Sequence, residues 1–497
     1  MKLQQFLAHH GIRENPFGQE DASSDQVFKQ HCLNAVFHPA WDKIVGNPGE
    51  PSTAVVFGEK GAGKTALRLQ LVDHIKRHNL AQPEQRMFVI EYDDFNPFLD
   101  SFRDRLPTWS RSAERALASW RLWDHMDAIL VLGVTRLVST ILDDRGPQGT
   151  GTEVRADQLA RLTRLQRRDL LLLTTFYDYD LSMPRVDRWS GIRRKTRFWS
   201  PGSWRDFAIG VAGTVSVLGG LFWANNLVGL GKFWPWWALL IGVWLPFAWK
   251  HGRLFWTGWR MSRQVRIVDN RPNLMRDLLS RFAPKELADQ PVPSRDRSDD
   301  RYELIKKFQG VLAALGFTGI TIIVDRVDEP HLINGSPDRM RALLWPLFDN
   351  KFLKHPGLGF KLLLPIEVST HLRREDKEFF ERSRLDKQNL VQSLLWTGES
   401  LYDIANDRLR ACSSDESKAS FRKLFDESIT EQELIASLAR LRVPRHMFKF
   451  LYRLVVDHCN RYTDESPRWT IARETLQSSL ALYERDLQDF DRGVGTG

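Results

Sequence analysis

Eight residues, Gly58-Glu59-Lys60-Gly61-Ala62-Gly63-Lys64-Thr65, constrain the fold more than any other feature of the chain. They fit in full the spacing glycine, four free positions, glycine, lysine, serine or threonine. Glycines let such a loop wrap an anion, so that backbone N–H groups point inward at it. The loop needs a strand before it and a helix after it, whose positive N-terminal end faces the same anion. Both are present. Ala54-Val55-Val56-Phe57 is a short apolar run with the pattern of a buried strand, and Leu67, Leu69, Leu71, Val72 and Ile75 follow in a helical pattern. The expectation is an α/β fold: a mostly parallel sheet, helices on both faces, and a ligand at the carboxyl ends of the strands.

Three more buried-strand patterns occur, at Met87 to Tyr92, Gly319 to Asp325 and Phe360 to Leu364. The third strand of the chain, Ile320-Thr321-Ile322-Ile323-Val324-Asp325, delivers an acid at its carboxyl end. In a phosphate site of this kind Lys64 is expected on the β- and γ-phosphates, Thr65 on Mg²⁺, and Asp325 on the same ion through water. Asp328 and Glu329 follow at once, and one of them is expected to polarise the attacking water. Which of the two does so stays open. The expected ligands are ATP and Mg²⁺, although the loop itself does not separate ATP from GTP.

Residues 99–198 read as a helical block rich in Leu and Arg, and residues 199–259 differ again, with ten of the 18 tryptophans. Phe207 to Gly231 holds no charged residue over 25 positions, and Phe233 to Trp249 none over 17. At ~1.5 Å per residue the first can cross a hydrocarbon core of ~30 Å, and the second sits at the short end of the spanning range. Tryptophans cluster at the ends, and Arg193, Arg194, Lys195, Arg197 and Arg205 precede the segment while Lys250, Arg253, Arg260, Arg263 and Arg266 follow it. The expectation is a two-helix transmembrane hairpin with both ends cytoplasmic and a turn near Gly229–Pro235 outside. A buried helical hairpin in a soluble core is the alternative, favoured by Asn225-Asn226.

The domain reading is therefore 1–98 for the first half of the nucleotide domain, 99–198 for a helical insertion and 199–259 for the hairpin. Residues 260–304 read as a helical connector and linker, 305–400 as the second half of the nucleotide domain, and 401–497 as a helical lid and tail. The formal charge of +9 is spent largely on the hairpin flanks. No basic stripe with interleaved aromatics lies elsewhere, so a nucleic-acid partner is not supported. The N-terminus carries no apolar signal-peptide core. Cys32, Cys412 and Cys459 have no metal-ligand spacing and suggest a reducing compartment. His125, His251, His331 and His371 are scattered singles, so no nuclease, protease or deaminase constellation is visible.

Three features, GEKGAGKT, the acidic turn IIVDRVDE and the apolar insertion between them, resemble the KAP and STAND groups of P-loop NTPases over roughly residues 11–98 and 305–460. Arg326 stands where STAND proteins carry a small residue. The resemblance implies a membrane-anchored ATPase that works as a nucleotide-driven switch, in bacterial defence against phage or in signalling. It implies multi-pass insertion in the cell inner membrane with the NTPase part cytoplasmic, contact with membrane lipids, a homo-oligomer, and a protein effector that the sequence does not name. Two further likenesses are to AAA-like ATPases. Asn15-Pro16-Phe17 resembles an adenine-side loop, and Val443-Pro444-Arg445 resembles a lid helix start whose arginine, Arg445, senses the γ-phosphate. Glu367, Arg373 and Arg374 are possible sensors after the fourth strand. The alternatives are a motor or transport-coupling ATPase at the membrane, marked by high turnover with a stimulating partner, and a soluble AAA-like ATPase acting on DNA, marked by detergent-free solubility.

Overall fold

Each of the four expected strands alternates its side chains between two buried faces, which is why each reads as a continuous apolar run. In the computed structural model they are β1 (Ala54–Gly58), β2 (Arg86–Tyr92), β3 (Phe317–Val324) and β4 (Leu358–Pro365), joined by a short fifth, β5 (Asn389–Val391). The structure describes residues 1–143, 151–180, 182–200, 204–228, 234–268, 271–288, 290–293, 297–414 and 419–491, apart from the side chains of 204–206, 224–228, 234–237, 246, 386, 490 and 491. The strand order is β2-β3-β4-β1-β5, with every neighbouring pair parallel.

Val55, Phe57, Ile90, Tyr92, Ile322, Val324, Leu362 and Leu364 point to one face. There they meet helix Leu122–Leu142 of the insertion and helices Arg164–Tyr177 and Asp299–Ala314. Ala54, Val56, Met87, Val89, Ile323 and Leu363 point to the other face, against Leu67, Leu71 and Ile75 of the helix Lys64–Ala81 that follows the glycine loop. The insertion is thus part of the sheet's own core.

A third core holds the C-terminal helices Gly398–Ala411, Glu431–Ala439, Pro444–Arg461 and Arg473–Asp491. Phe6, Leu7, Ile12 and Phe17 pack inside it. The division at residue 98 had grouped these first residues with the sheet; their side chains belong to the lid instead. Helix Asp299–Ala314 starts within the stretch read as a helical connector and linker and runs across the boundary at 304.

Helices Trp204–Val228 and Trp234–Gln264 form an antiparallel hairpin. Trp244 Nε1 donates to Thr214 Oγ1 at 2.9 Å, and a Cβ on Gly213 would meet Val243 at 2.6 Å, so that glycine permits close approach. Outward lie Val215, Phe222, Ile241 and Trp249, the last three exposed at 71%, 67% and 76%. These four side chains are not covered by the protein, whereas Met261 at the end of the second helix is buried in the sheet's core. Of the turn expected near Gly229–Pro235, residues 229–233 lie outside the described residues, and Trp234 and Pro235 already belong to the second helix. Among the described residues, one helix is long and apolar enough by length and composition to cross a membrane, and it is Leu122–Leu142, with 67% of its apolar window buried. Asp124, His125 and Asp127 in it are fully buried among protein neighbours. The hairpin's described apolar stretch, Phe207–Trp223, is shorter. Two spans were expected; one helix passes by length, and it lies in the core. Apolar length alone does not separate a buried helix from a spanning one.

The hairpin's root is clasped to the sheet domain. Arg105 donates to the carbonyls of Ser262, Val265 and Val268. Arg266 Nη2 meets Asp124 Oδ2 at 2.8 Å, and Lys195 Nζ meets Ile141 O at 2.8 Å. Two of the basic flanking residues thus serve the protein rather than a headgroup.

Candidate functional site

The chain leaves β1 toward β2 on one side, over β4 and β3, and leaves β4 toward β5 on the other. That reversal opens a crevice at the carboxyl ends of the strands, where an α/β sheet takes its ligand. The loop 58–65 lies there. Gly61 and Gly63 hold φ of 89° and 91°, in the left-handed region that favours glycine. A Cβ at Gly61 would also lie 2.6 Å from Arg445 Cβ, so this position is closed to other residues twice over. Lys64 and Thr65 then open the helix, with Gly63 as its N-cap.

Lys64 Nζ donates to Gly58 O and Glu59 O at 2.8 and 3.0 Å. Burial lowers its pKa, while Asp328, Asp325 and Glu367 oppose that shift. Thr65 Oγ1 stands 3.4 Å from Asp325 Oδ2, joining the loop to the end of β3. Asp325 is 1% exposed. Burial raises its pKa, and the nearby Arg68 guanidinium pulls it back. Arg68, one turn along the same helix, pairs with Asp325 at 3.5 Å, Glu91 at 3.6 Å and Asp93. Asp328 is half-buried and Glu329 exposed; both line the cleft, Asp328 acting on Lys64 and Glu329 pairing with Arg326 at 3.7 Å.

The expected residues Gly61, Ala62, Gly63, Lys64, Thr65, Asp325, Asp328, Glu329 and Arg445 therefore meet in one cleft of about 1330 Å³, counted with the part open to solvent. Arg445 N donates to Gly61 O at 3.3 Å, which seats the lid helix on the loop. Among the possible sensors, Glu367 acts on Lys64, whereas Arg373 and Arg374 are exposed and do not line the cleft.

The other wall escaped the sequence reading. It is built by residues 20–38, by Trp396 and by Ile404 and Phe448 of the lid. Trp396 Nε1 donates to Ala62 O at 2.9 Å, and its ring lies 3.7 Å from where a Gly63 Cβ would be. His38 meets the same ring edge-on and bonds Leu395 O at 3.0 Å. Asn15-Pro16-Phe17 does not line the cleft. Asn15 Oδ1 takes the Phe17 N–H at 3.0 Å, Phe17 is buried in the lid core, and Pro16 O accepts from Arg408 Nε at 3.0 Å. The turn supports Arg408, which does face the cleft.

No cluster of three or more His, Cys, Asp or Glu side chains that could hold a metal alone exists among the described residues. Mg²⁺ takes one or two protein oxygens and completes its shell with phosphate and water. Thr65 and Asp325 offer such a pair. The three cysteines are unpaired and buried. Comparison with protein-family models, curated proteins and solved structures finds no match. The likeness to the KAP and STAND groups thus rests on the motif residues alone.

Proposed function

We propose that this chain is a membrane-anchored P-loop ATPase whose nucleotide state controls assembly or signalling at the membrane. One observation carries the reading: Thr65 and Asp325, 260 residues apart, bring a hydroxyl and a carboxylate within 3.4 Å at the start of a helix capped by a glycine loop. A hydroxyl and an acid at that distance suit one small divalent cation beside a phosphate chain. Mg²⁺ held there would neutralise charge on the phosphate oxygens. Loop N–H groups would cradle the β-phosphate, and Lys64 would turn from its two carbonyls to the β- and γ-oxygens. Asp328 would take a proton from the attacking water. The water oxygen joins the terminal phosphorus as the bond to the bridging oxygen breaks, giving ADP and phosphate. The apolar, aromatic wall with Trp396 and Phe448 suits a base, which supports a nucleotide over free phosphate.

Calorimetric titration with ATP and Mg²⁺ tests this. The native chain should bind with release of heat, and Lys64→Ala should weaken binding at least ~100-fold, since it removes a charge-assisted contact to two phosphates. Equal affinity in both would overturn the reading. Membrane anchorage is supported by the outward apolar side chains of the hairpin and by Arg260 and Arg263 over Trp256 and Trp259. The chain should stay with membranes through carbonate washing, and a version with residues 207–249 replaced by a soluble linker should be released. Extraction of the native chain would overturn the anchor.

A further inference from the structure

Gln70 lies on the helix Lys64–Ala81, ~9 Å along its axis from Lys64, and so stands away from the phosphate cradle. It lines the cleft, and its side chain is 5% exposed. Gln70 Nε2 donates to Leu33 O at 3.1 Å and to Val36 O at 2.9 Å, in the cleft's second wall. Carbonyls accept and cannot donate, so these two decide which end of the amide is the nitrogen. Both amide hydrogens are spent there, and the oxygen is turned away. Among the described residues nothing donates to Gln70 Oε1. Nor is it one of the buried atoms sealed in without a partner. It therefore keeps an opening, and the opening that Gln70 lines is the cleft.

The segment that Gln70 holds is pinned to the same helix once more, by Asn34 Nδ2 donating to Asp73 Oδ2 at 3.0 Å. Polar groups beside it on this wall are already used. His38 bonds Leu395 O through Nε2 and takes the Ala40 N–H on Nδ1, both at 3.0 Å. Trp396 gives its N–H to Ala62 O. Asp25, the buried acid of this wall, accepts the Phe28 N–H at 3.0 Å and a bond from Arg408. Val36, Leu67, Ile404 and Phe448 add apolar surface. The wall thus offers a flat ring an apolar seat with a fixed acceptor at its edge.

We propose that Gln70 Oε1 accepts a hydrogen bond from the exocyclic amine of adenine and so sets the base specificity of the cleft. This rests on the nucleotide-binding reading above. The glycine loop holds phosphates and is blind to the base. Adenine carries a donor, the N6 amine, where guanine carries an acceptor, O6. An acceptor that cannot turn over bonds the first and repels the second. Turning the amide over would break both bonds to Leu33 and Val36 and set Oε1 against two carbonyl oxygens. Guanine's own donors, its ring N–H and amine, suit a carboxylate, and Asp25 is spent on Phe28 and Arg408. Gln70 is therefore the residue that makes the substrate ATP and not GTP.

The test uses the full chain in detergent with Mg²⁺ and calorimetry. The probes are slowly hydrolysed forms of ATP, of GTP and of purine riboside triphosphate, which is ATP with hydrogen in place of the amine. The native chain should bind the purine form ~10-fold more weakly than the ATP form, the scale of one buried hydrogen bond left unmade. The GTP form, which brings an acceptor against Oε1, should bind more weakly still. These measurements need no variant, so they stand whether or not a substitution disturbs the fold. Gln70→Met keeps the length of the side chain and removes the acceptor. Its loss of the bonds to Leu33 and Val36 should weaken every probe alike, but the ratio of ATP form to purine form should fall to about 1. Equal native affinities for those two forms, a ratio that survives in Gln70→Met, or tighter binding of the GTP form overturns the role of Gln70 and leaves nucleotide binding intact. A native chain that binds none of the three overturns both.

Discussion

Of the buried aspartates that face an arginine, one lies in the cleft and one at the root of the hairpin, and these two pairs are built differently. At the root, Arg266 grips Asp124 through two bonds, at 2.8 and 3.3 Å, and Asp124 also accepts the Arg121 N–H at 2.9 Å. The guanidinium lies over Phe102, 4.7 Å from the ring centre. In the cleft, Arg68 spreads over three acids, its approach to Asp325 is 3.5 Å, and its Nε has no hydrogen-bond partner. A tight pair spends its lone pairs on the protein and holds two elements together. A loose pair leaves an acid with oxygen to give to something else. The first pair holds two elements together, and the second leaves Asp325 open to the cation proposed above.

Breaking the cleft pair should therefore cost activity and little stability. Asp325→Asn should lower Mg²⁺-dependent hydrolysis ~10³-fold, the several kcal/mol assigned to metal assistance, with the melting temperature close to native. An active Asp325→Asn enzyme would move the metal site elsewhere. Next in size, Asp328→Asn should slow turnover ~10²-fold with ATP still bound, while Glu329→Gln, exposed and paired with Arg326, should change it little. Steady-state release of phosphate checks both, and the opposite ranking would give the proton-accepting role to Glu329. At the root the signs reverse. Arg266→Met should cost ~2 kcal/mol of stability, below the usual loss for a broken buried pair because Asp124 can escape by taking a proton. Nucleotide affinity should stay native in the folded fraction. An affinity that fell with stability would mean the root also reports to the cleft.

Asp325 of the cleft was visible in the sequence, while its partner Arg68 and the root pair were not, for a physical reason. The glycine loop needs its residues in a row, since one turn of backbone makes the cradle, and β3 must end in an acid to reach it. Both are local patterns. Asp124 and Arg266 are ordinary charges until the fold brings them together across 142 residues. The same holds for the second wall of the cleft. Asp21, Trp396, Arg408 and Phe448 come from segments that read separately as turn or helix, and only packing of the N-terminus into the lid core joins them. Strand β5 has three residues, too few to show a period. The apolar helix Leu122–Leu142 and the hairpin look alike by composition, and what separates them is where their neighbours lie: thirteen of the helix's 21 residues are buried, while the hairpin shows Trp223, Trp249 and Trp256 outward.

The smallest expected effect tests the root pair by pH. Burial pushes the Asp124 carboxyl up from an ordinary 3.8 to about 6, with Arg266 and the Arg121 N–H opposing that shift and Asp127 adding to it. Arg301 bonds Asp127 at 3.1 Å and adds positive charge on the same side. Between these two values the folded chain holds a proton at Asp124 that the unfolded chain has released. Stability from this group is therefore fully present below the lower value, falls as pH rises through the window, and levels off above the upper one. From pH 5 to pH 7 the fall should be about 1 kcal/mol, from the integrated binding of that one proton. Asp124→Asn cannot titrate. Its melting temperature should fall less than the native one as pH rises over that range, so the gap between the two closes or reverses. Arg266→Met removes the opposing charge, raises the Asp124 value further and should carry the fall to higher pH. Parallel curves for native chain and Asp124→Asn would show that the root aspartate keeps an ordinary pKa, and the contrast between a tight structural pair and a loose chemical one would lose its electrostatic half.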